Sequence, residues 1–366
     1  MRIVLTGGGT GGHIYPALAV GKQAQQEIPG TSLLYIGTTR GLESKIVPAE
    51  NIPFEAVDIT GFKRKLSIDN IKTVMRFLKA VSRSKQLLRS FKPDVVIGTG
   101  GYVCGPVVYA AAKLGIPTLI HEQNVVPGLT NKFLSRYAGR VAVSFEASID
   151  QFGGKHVLYT GNPCASQVVQ ADRSKGFASL GLNNDRKIVL IVGGSRGARA
   201  VNEAVFDMIP KLSGLPNIQF VFVTGESYYE QAKQRLPGEN VPSNLKVLPY
   251  IHNMAQVLAA STLIVSRSGA SSLAEITALG IPSILIPSPN VTNNHQEPNA
   301  RSLEVAGAAE MVLERELNGD DLFRRITSIV TSPQRLASMK EAALTLGKPE
   351  SASLIVTELK RLGGRT

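Results

Sequence analysis

His13 closes a glycine run, Gly7-Gly8-Gly9-Thr10-Gly11-Gly12-His13, that follows the apolar stretch Arg2-Ile3-Val4-Leu5-Thr6. A buried strand, a glycine loop and then a helix bring backbone N–H groups up to an anion. The positive end of that helix disfavours an imidazolium, so His13 would stay neutral and able to accept a proton, as a general base must. Gly7, Gly9 and Gly12 also satisfy the dinucleotide spacing G-x-G-x-x-G. No acid to hold the ribose of NAD follows the next apolar run until Glu43, and Arg40 leaves NADP formally open. His13-Ile14 stands where a Walker loop needs Lys-Ser/Thr, which excludes that loop.

The pattern recurs. Lys187-Ile188-Val189-Leu190-Ile191-Val192 runs into Gly193-Gly194-Ser195-Arg196-Gly197. A third loop, Ser266-Arg267-Ser268-Gly269-Ala270-Ser271-Ser272-Leu273-Ala274-Glu275, follows the apolar Leu263–Val265. Small residues at a helix start expose N–H groups to phosphate, and Glu275, about a turn further on, could accept from ribose hydroxyls. A plain acid near a helix N-terminus explains it equally well. His121-Glu122-Gln123-Asn124 ends the run Thr118–Ile120, and Gly98-Thr99-Gly100-Gly101-Tyr102 ends another. The carboxyl ends of parallel strands are where open α/β sheets bind ligands, so these polar groups are expected to line a site. Asn293-Asn294-His295-Gln296-Glu297 supplies donors and acceptors for sugar hydroxyls, or a polar surface loop.

The elements that must hold these loops alternate along the chain. Strands are expected at Ile3–Leu5, Leu33–Ile36, Val95–Ile97, Thr118–Ile120, Arg140–Val143 and Val157–Tyr159 in the first half. In the second they are expected at Ile188–Val192, Gln219–Val223, Leu245–Leu248, Leu263–Val265 and Ile284–Ile286. Helical patterns lie between, which gives an α/β fold of two doubly wound parallel sheets. A chain of 366 residues exceeds one comfortable core. The break is expected at Gly161-Asn162-Pro163, giving domains 1–163 and 164–345, with the helical tail 346–366 expected to pack back on the first.

Composition narrows the partners. Apolar runs fall short of the roughly 18 residues that span a bilayer, and Met1-Arg2-Ile3-Val4 enters a strand directly, so no signal peptide is expected. Cys104 and Cys164 suit a reducing compartment and have no metal-ligand spacing. The net charge of +12 asks for an anionic partner. Between Gly61 and Lys92, Lys63, Arg64, Lys65, Arg76 and Lys79 interleave with Phe62, Val74, Met75, Phe77 and Leu78, against one acid, Asp69. That pattern fits an anionic bilayer surface as well as it fits a core helix with a solvated basic face. Trp is absent, as is any nucleic-acid motif, so nucleic acid is not an expected partner.

Taken in order, Gly7 to His13, Gly100-Gly101-Tyr102, His121 to Asn124, Gly161-Asn162-Pro163, Gly193 to Ala198, Ser268-Gly269-Ala270 with Glu275, and Asn294-His295-Gln296 resemble the MurG family across nearly the whole chain. These bacterial transferases add N-acetylglucosamine to undecaprenyl-diphospho-muramoylpentapeptide. The resemblance implies a GT-B fold with the reaction in a cleft between two Rossmann-like domains. It implies UDP-N-acetylglucosamine (UDP-GlcNAc) as donor and an inverting displacement; no Asp-x-Asp metal site stands between a strand and a helix, so no tightly bound metal or cofactor is expected. By similarity Ser195 contacts the diphosphate, Ile251 the uracil, Glu275 the ribose and Gln296 the sugar, with Ala270, Ser271, Ser272, Leu273 and Ala274 around the nucleotide. Thr10, Gly11, Gly12 and Asn124 complete the site, Tyr102, His121 and Glu122 lie on the acceptor side, and His13 is the candidate base. Phe62, Lys63, Arg64, Lys65, Arg76, Phe77 and Lys79 form a membrane patch on the cytoplasmic face, where cell-wall synthesis proteins are expected partners. One departure is Cys164, where many relatives carry arginine at or next to this position; Arg196 and Arg199 are the candidates to supply that charge. The rival expectations are a UDP-GlcNAc 2-epimerase on the same architecture, an NADP oxidoreductase, and a non-enzymatic protein bound to anionic membranes.

Overall fold

The computed structural model describes residues 1–60, 68–153, 156–194, 196–236 and 241–364, and side chains outside 68–73. Two compact units emerge, Met1–Ser166 with Lys348–Thr366, and Gln167–Gly347.

The first unit is built on a parallel sheet of β1 (Arg2–Thr6), β2 (Ser32–Gly37), β3 (Phe54–Ala56), β4 (Val95–Gly98), β5 (Thr118–Glu122), β6 (Arg140–Val143) and β7 (Val157–Tyr159). Their order is β3-β2-β1-β4-β5-β6-β7. Side chains alternate across the sheet and both faces are buried, as a parallel sheet with helices on each side requires. Ile3, Leu5 and Ile97 face one core, Val4, Val96 and Ile120 the other. The first core receives α1 (Gly11–Glu27) and the C-terminal helix Ser351–Leu362, whose Ile355, Val356 and Leu359 are fully buried. Glu358 on that helix is tied to Arg140 at 2.8 Å. The second core receives α3 (Ile68–Phe91) and α4 (Cys104–Lys113); α2 (Glu43–Ala49) follows β2.

The second unit carries β8 (Lys187–Val192), β9 (Ile218–Val223), β10 (Leu245–Leu248), β11 (Leu263–Ser266), β12 (Ser283–Leu285) and β13 (Ala309–Met311), all parallel, in the order β10-β9-β8-β11-β12-β13. Val189, Ile191, Phe220, Phe222 and Val265 share a core with Val201, Val205 and Met208 of the helix Arg199–Met208.

All eleven expected strands are present. The two unexpected ones, β3 and β13, are three-residue edge strands (Phe54-Glu55-Ala56 and Ala309-Glu310-Met311) too short to show a buried run. In each sheet the chain reverses its winding direction once, between β1 and β4 and between β8 and β11. Each switch point opens a crevice beyond the strand ends of its own sheet, and the loops after β1, β4, β8 and β11 lie there.

Candidate active site

In the first unit, three loops leave the aligned carboxyl ends of β1, β4 and β5, where Thr6 pairs with Gly98 and Gly98 with Ile120. The β1–α1 loop is held flat against its neighbour. The Gly8 N–H donates to the Gly100 carbonyl at 3.2 Å. A Cβ on Gly101, whose φ is +80°, would come within 2.3 Å of the Gly8 oxygen. The Cys104 thiol, 0% exposed, reaches the Thr6 and Gly100 carbonyls and accepts from the Gly100 N–H; burial pushes it up to about 12, so it stays protonated and inert.

His13 is the third residue of α1 and half-buried. Its Nδ1 lies 2.9 Å from the Gly8 carbonyl oxygen, which can only accept. Nδ1 therefore carries the proton in the neutral ring, which makes Nε2 its acceptor nitrogen. Thr10, Gly9 and Gly12 are exposed beside it, and Tyr102, 43% exposed, approaches Gly9.

The polar strand end of β5 is arranged differently. His121, Glu122 and Gln123 are almost wholly buried. His121 Nε2 meets the Gly161 carbonyl at 2.9 Å and Nδ1 meets Gln123 at 3.0 Å; burial pushes its imidazole down to about 4 and keeps it neutral. Glu122 accepts from the N–H groups of Asn124 and Gly128 and from Asn131 Nδ2. Both side chains brace the loops around them, and Asn124, half-buried, is the member of the tetrad that borders solvent.

In the second unit a pocket of about 440 Å³ opens beyond β8 and β11. Gly193, Gly194 and Gly197 line it, with Arg196, Arg199, Tyr228, Arg267, Asn290, Gln296 and Glu314. Its floor is the start of the helix Arg199–Met208. Arg196 and Arg199 are exposed, whereas Arg267 is paired with Glu314 and donates to the Ile286 and Pro287 carbonyls. Gln296 Oε1 accepts from the Ser288 N–H at 2.8 Å. Beside the pocket the helix Ala270–Leu279 starts at Gly269. Along it Ala270 and Leu273 are buried, Ser272 is exposed, and Ala274 is half-buried. Ser271 Oγ is buried with no hydrogen-bond partner among the described residues. Glu275 is pushed up to about 7 by burial alone. Ile251 is buried in the loop after β10. Ser195 lies outside the described residues, as do Phe62, Lys63, Arg64 and Lys65.

Cys164 is 3% exposed and its N–H caps onto Asn162 Oδ1, so a buried thiol stands where an arginine was sought. On α3, Phe77 turns inward onto Tyr109 and Phe133, while Arg76 and Lys79 are exposed. Val74, Met75 and Leu78, between 47% and 62% exposed, form the apolar face instead. Among the described residues no helix is long and apolar enough to cross a membrane, and no three of His, Cys, Asp and Glu come together as a metal site would need.

Comparison with known proteins agrees with this geometry. The glycosyltransferase family 28 N-terminal domain matches residues 3–143 and the family 28 C-terminal domain residues 188–355. Two relatives are each named UDP-N-acetylglucosamine–N-acetylmuramyl-(pentapeptide) pyrophosphoryl-undecaprenol N-acetylglucosamine transferase. One, from Bacillus cereus, is 54% identical, covering 99% of both chains. The other, from Halalkalibacterium halodurans, is 57% identical, covering 96% of this chain and 97% of its own. The crystal structure of Acinetobacter baumannii MurG superposes with a TM-score of 0.78 at 31% identity, covering 98% of this chain and 99% of that one. With two Rossmann-like parallel sheets, family 28 matches in both and relatives of this identity over nearly the whole chain, the chain belongs to the MurG family of GT-B glycosyltransferases.

Proposed function

We propose that this chain moves N-acetylglucosamine from UDP-GlcNAc to the 4-hydroxyl of undecaprenyl-diphospho-N-acetylmuramoyl-pentapeptide. The observation that carries the donor half is the pair Ser271 and Glu275. Among the described residues one is a buried hydroxyl without a partner, the other a half-buried carboxyl without a counter-charge, four residues apart on one helix face. Ribose hydroxyls would satisfy both. The uracil would lie against Ile251, and the sugar against Gln296.

The chemistry is an in-line displacement. The acceptor oxygen attacks the anomeric carbon from the face opposite UDP, its proton passes to His13 Nε2, and the bond to the diphosphate breaks with its electron pair leaving on UDP. The α linkage thereby becomes β. The charge that develops on the diphosphate would be met by the N–H groups of the loop Gly193–Gly197 and the start of the helix Arg199–Met208. Arg196 and Arg199 would supply the cationic contact that Cys164 does not. With that charge met by protein groups, no tightly bound metal is required.

The acceptor side would use Thr10, Gly11, Gly12, Tyr102 and Asn124, with His121 and Glu122 as the braces beneath them. The lipid tail of the acceptor requires work at the cytoplasmic face of the cell membrane. Arg76 and Lys79, flanking Val74, Met75 and Leu78, suit an anionic leaflet.

The test is transfer of radiolabelled N-acetylglucosamine to a short-chain lipid-linked muramoyl-peptide, with Glu275→Ala and His13→Ala beside the wild type. Acceptor-dependent transfer, with a raised donor KM for Glu275→Ala and a lowered kcat for His13→Ala, is the expected result. Turnover of the UDP-sugar without acceptor would move the chain to epimerase chemistry.

A further inference from the structure

Glu43, the first residue of α2, is fully buried, and each group that meets its carboxylate is a donor. Thr38 gives its N–H at 3.1 Å and its hydroxyl at 2.7 Å to Oε1. The Gly9 N–H gives to Oε2 at 3.1 Å. Gly8 and Gly41 crowd the same carboxylate so closely that a Cβ on either would fall 2.6 Å or 2.2 Å from Oε1. A side chain whose two oxygens accept three hydrogen bonds in so tight a cradle is fixed in place as an acceptor.

The Gly9 N–H and the Gly8 carbonyl are the two ends of one peptide group. That carbonyl accepts from His13 Nδ1 at 2.9 Å. The peptide therefore connects a carboxylate to an imidazole: Glu43 pulls on its N–H, and its oxygen becomes a stronger acceptor for the Nδ1 proton. We propose that Glu43 is a positioning residue for the transfer reaction, acting through the Gly8–Gly9 peptide to fix the tautomer of His13 and to stabilise the imidazolium that forms when Nε2 takes a proton. This rests on the reading of His13 as the base.

Other titratable groups packed on this loop are Tyr35 from β2, whose hydroxyl donates to the Gly7 carbonyl, Tyr102 and Cys104 from the β4–α4 segment, and Tyr15 on α1. Burial holds the Tyr35 phenol and the Cys104 thiol in their neutral forms. Thr10 Oγ1 also approaches His13 Nδ1, at 3.3 Å, and as a hydroxyl it accommodates either tautomer.

The experiment is an NMR titration of His13 in the full-length wild type and Glu43→Gln, with the pH dependence of kcat alongside. With the charge removed, His13 should titrate about one pH unit lower. The acid limb of kcat should move with it, the plateau should fall severalfold, and the donor KM should hold within about twofold. Thr38→Val loosens the same cradle without removing charge and should leave the His13 titration in place. An unchanged His13 titration in folded Glu43→Gln overturns the proposal. Should that variant fail to fold, the wild type still decides: the Gly9 amide resonance must follow His13 as it titrates, and a still Gly9 amide overturns it equally. The NMR shift is read without turnover, so a His13→Ala enzyme of undiminished kcat would remove the base reading, and with it the catalytic half of this proposal, while leaving the coupling measurable.

Discussion

Ser271 and Glu275 share one face of the helix Ala270–Leu279, a buried hydroxyl and a half-buried carboxyl, and neither finds a hydrogen-bond partner among the described residues. Burial raises Glu275 from 4.5 to about 7. Because the folded value lies above the unfolded one, the native state holds its proton longer, and stability falls as pH rises from about 4.5 through 7. Glu275→Gln escapes that cost. Urea unfolding should find the variant close to wild type at pH 5 and more stable by on the order of 2 kcal/mol at pH 8. Ribose hydroxyls that donate to the carboxylate would lower its pKa, so UDP binding at pH 6.5 should release part of a proton, read by calorimetry in two buffers. Equal stability differences at both pH values would mean an ordinary carboxyl.

Arg196 and Arg199 are exposed on the pocket wall, whereas Arg267 is committed to Glu314. Replacing either free arginine by alanine should raise the donor KM about tenfold with a smaller change in kcat, since a ground-state diphosphate already carries most of the charge they meet. Arg267→Ala should instead cost stability, because it strands Glu314. Initial rates over a range of UDP-GlcNAc concentrations, paired with a thermal melt, separate the two effects.

If Arg196, Arg199 and the helix starts meet the diphosphate as proposed, transfer should keep its rate after exhaustive chelation. A dialysed enzyme assayed with and without EDTA checks this. A loss restored by one divalent cation would place metal in the reaction and shift the burden away from Arg196 and Arg199.

What the sequence made legible follows from what period and punctuation can encode. The buried runs of β1, β4, β8 and β11 and the glycines after them were readable because a parallel strand and its phosphate loop are local patterns. The role of His121 and Glu122 was not. A polar cluster at a strand end looks the same whether it faces a ligand or the carbonyl of Gly161, 40 residues away. Glu43 stood out only as the first acid after β2, yet its partner Gly9 lies 34 residues earlier. Phe77 belonged to a basic amphipathic pattern, and only the aromatic neighbours Tyr109 and Phe133 reveal that it turns inward. Chemistry carried by long-range contacts needs the fold before it can be read.

Gly101 has φ +80° and no space for a side chain against the Gly8 oxygen. Gly101→Ala must either strain its backbone or push the β1–α1 loop away from Gly100. About 1–3 kcal/mol of stability should be lost. kcat should drop by tenfold or more while UDP affinity, which the proposed site places in the second unit, is retained. Calorimetry with UDP alongside the transfer assay would expose the split, and equal losses in both would mean general unfolding.

Val74, Met75 and Leu78 form an apolar face with no covering element among the described residues, and Arg76 and Lys79 stand beside them. Exposed apolar side chains on a surface helix cost nothing in a fold if they leave water on binding. Met75→Asp with Leu78→Asp should leave the melting temperature within a few degrees of wild type, since neither side chain is buried. Sedimentation with vesicles of anionic lipid should fall at least tenfold for the double variant. Arg76→Gln with Lys79→Gln should weaken binding less, and added salt should erase that smaller difference by screening the lipid charge. Transfer to a detergent-soluble, short-chain acceptor should be nearly unchanged in all of them, because that substrate does not require the enzyme to reach a bilayer. Unaltered vesicle binding by the aspartate pair would assign the face to another partner and leave membrane attachment to the residues preceding Ile68.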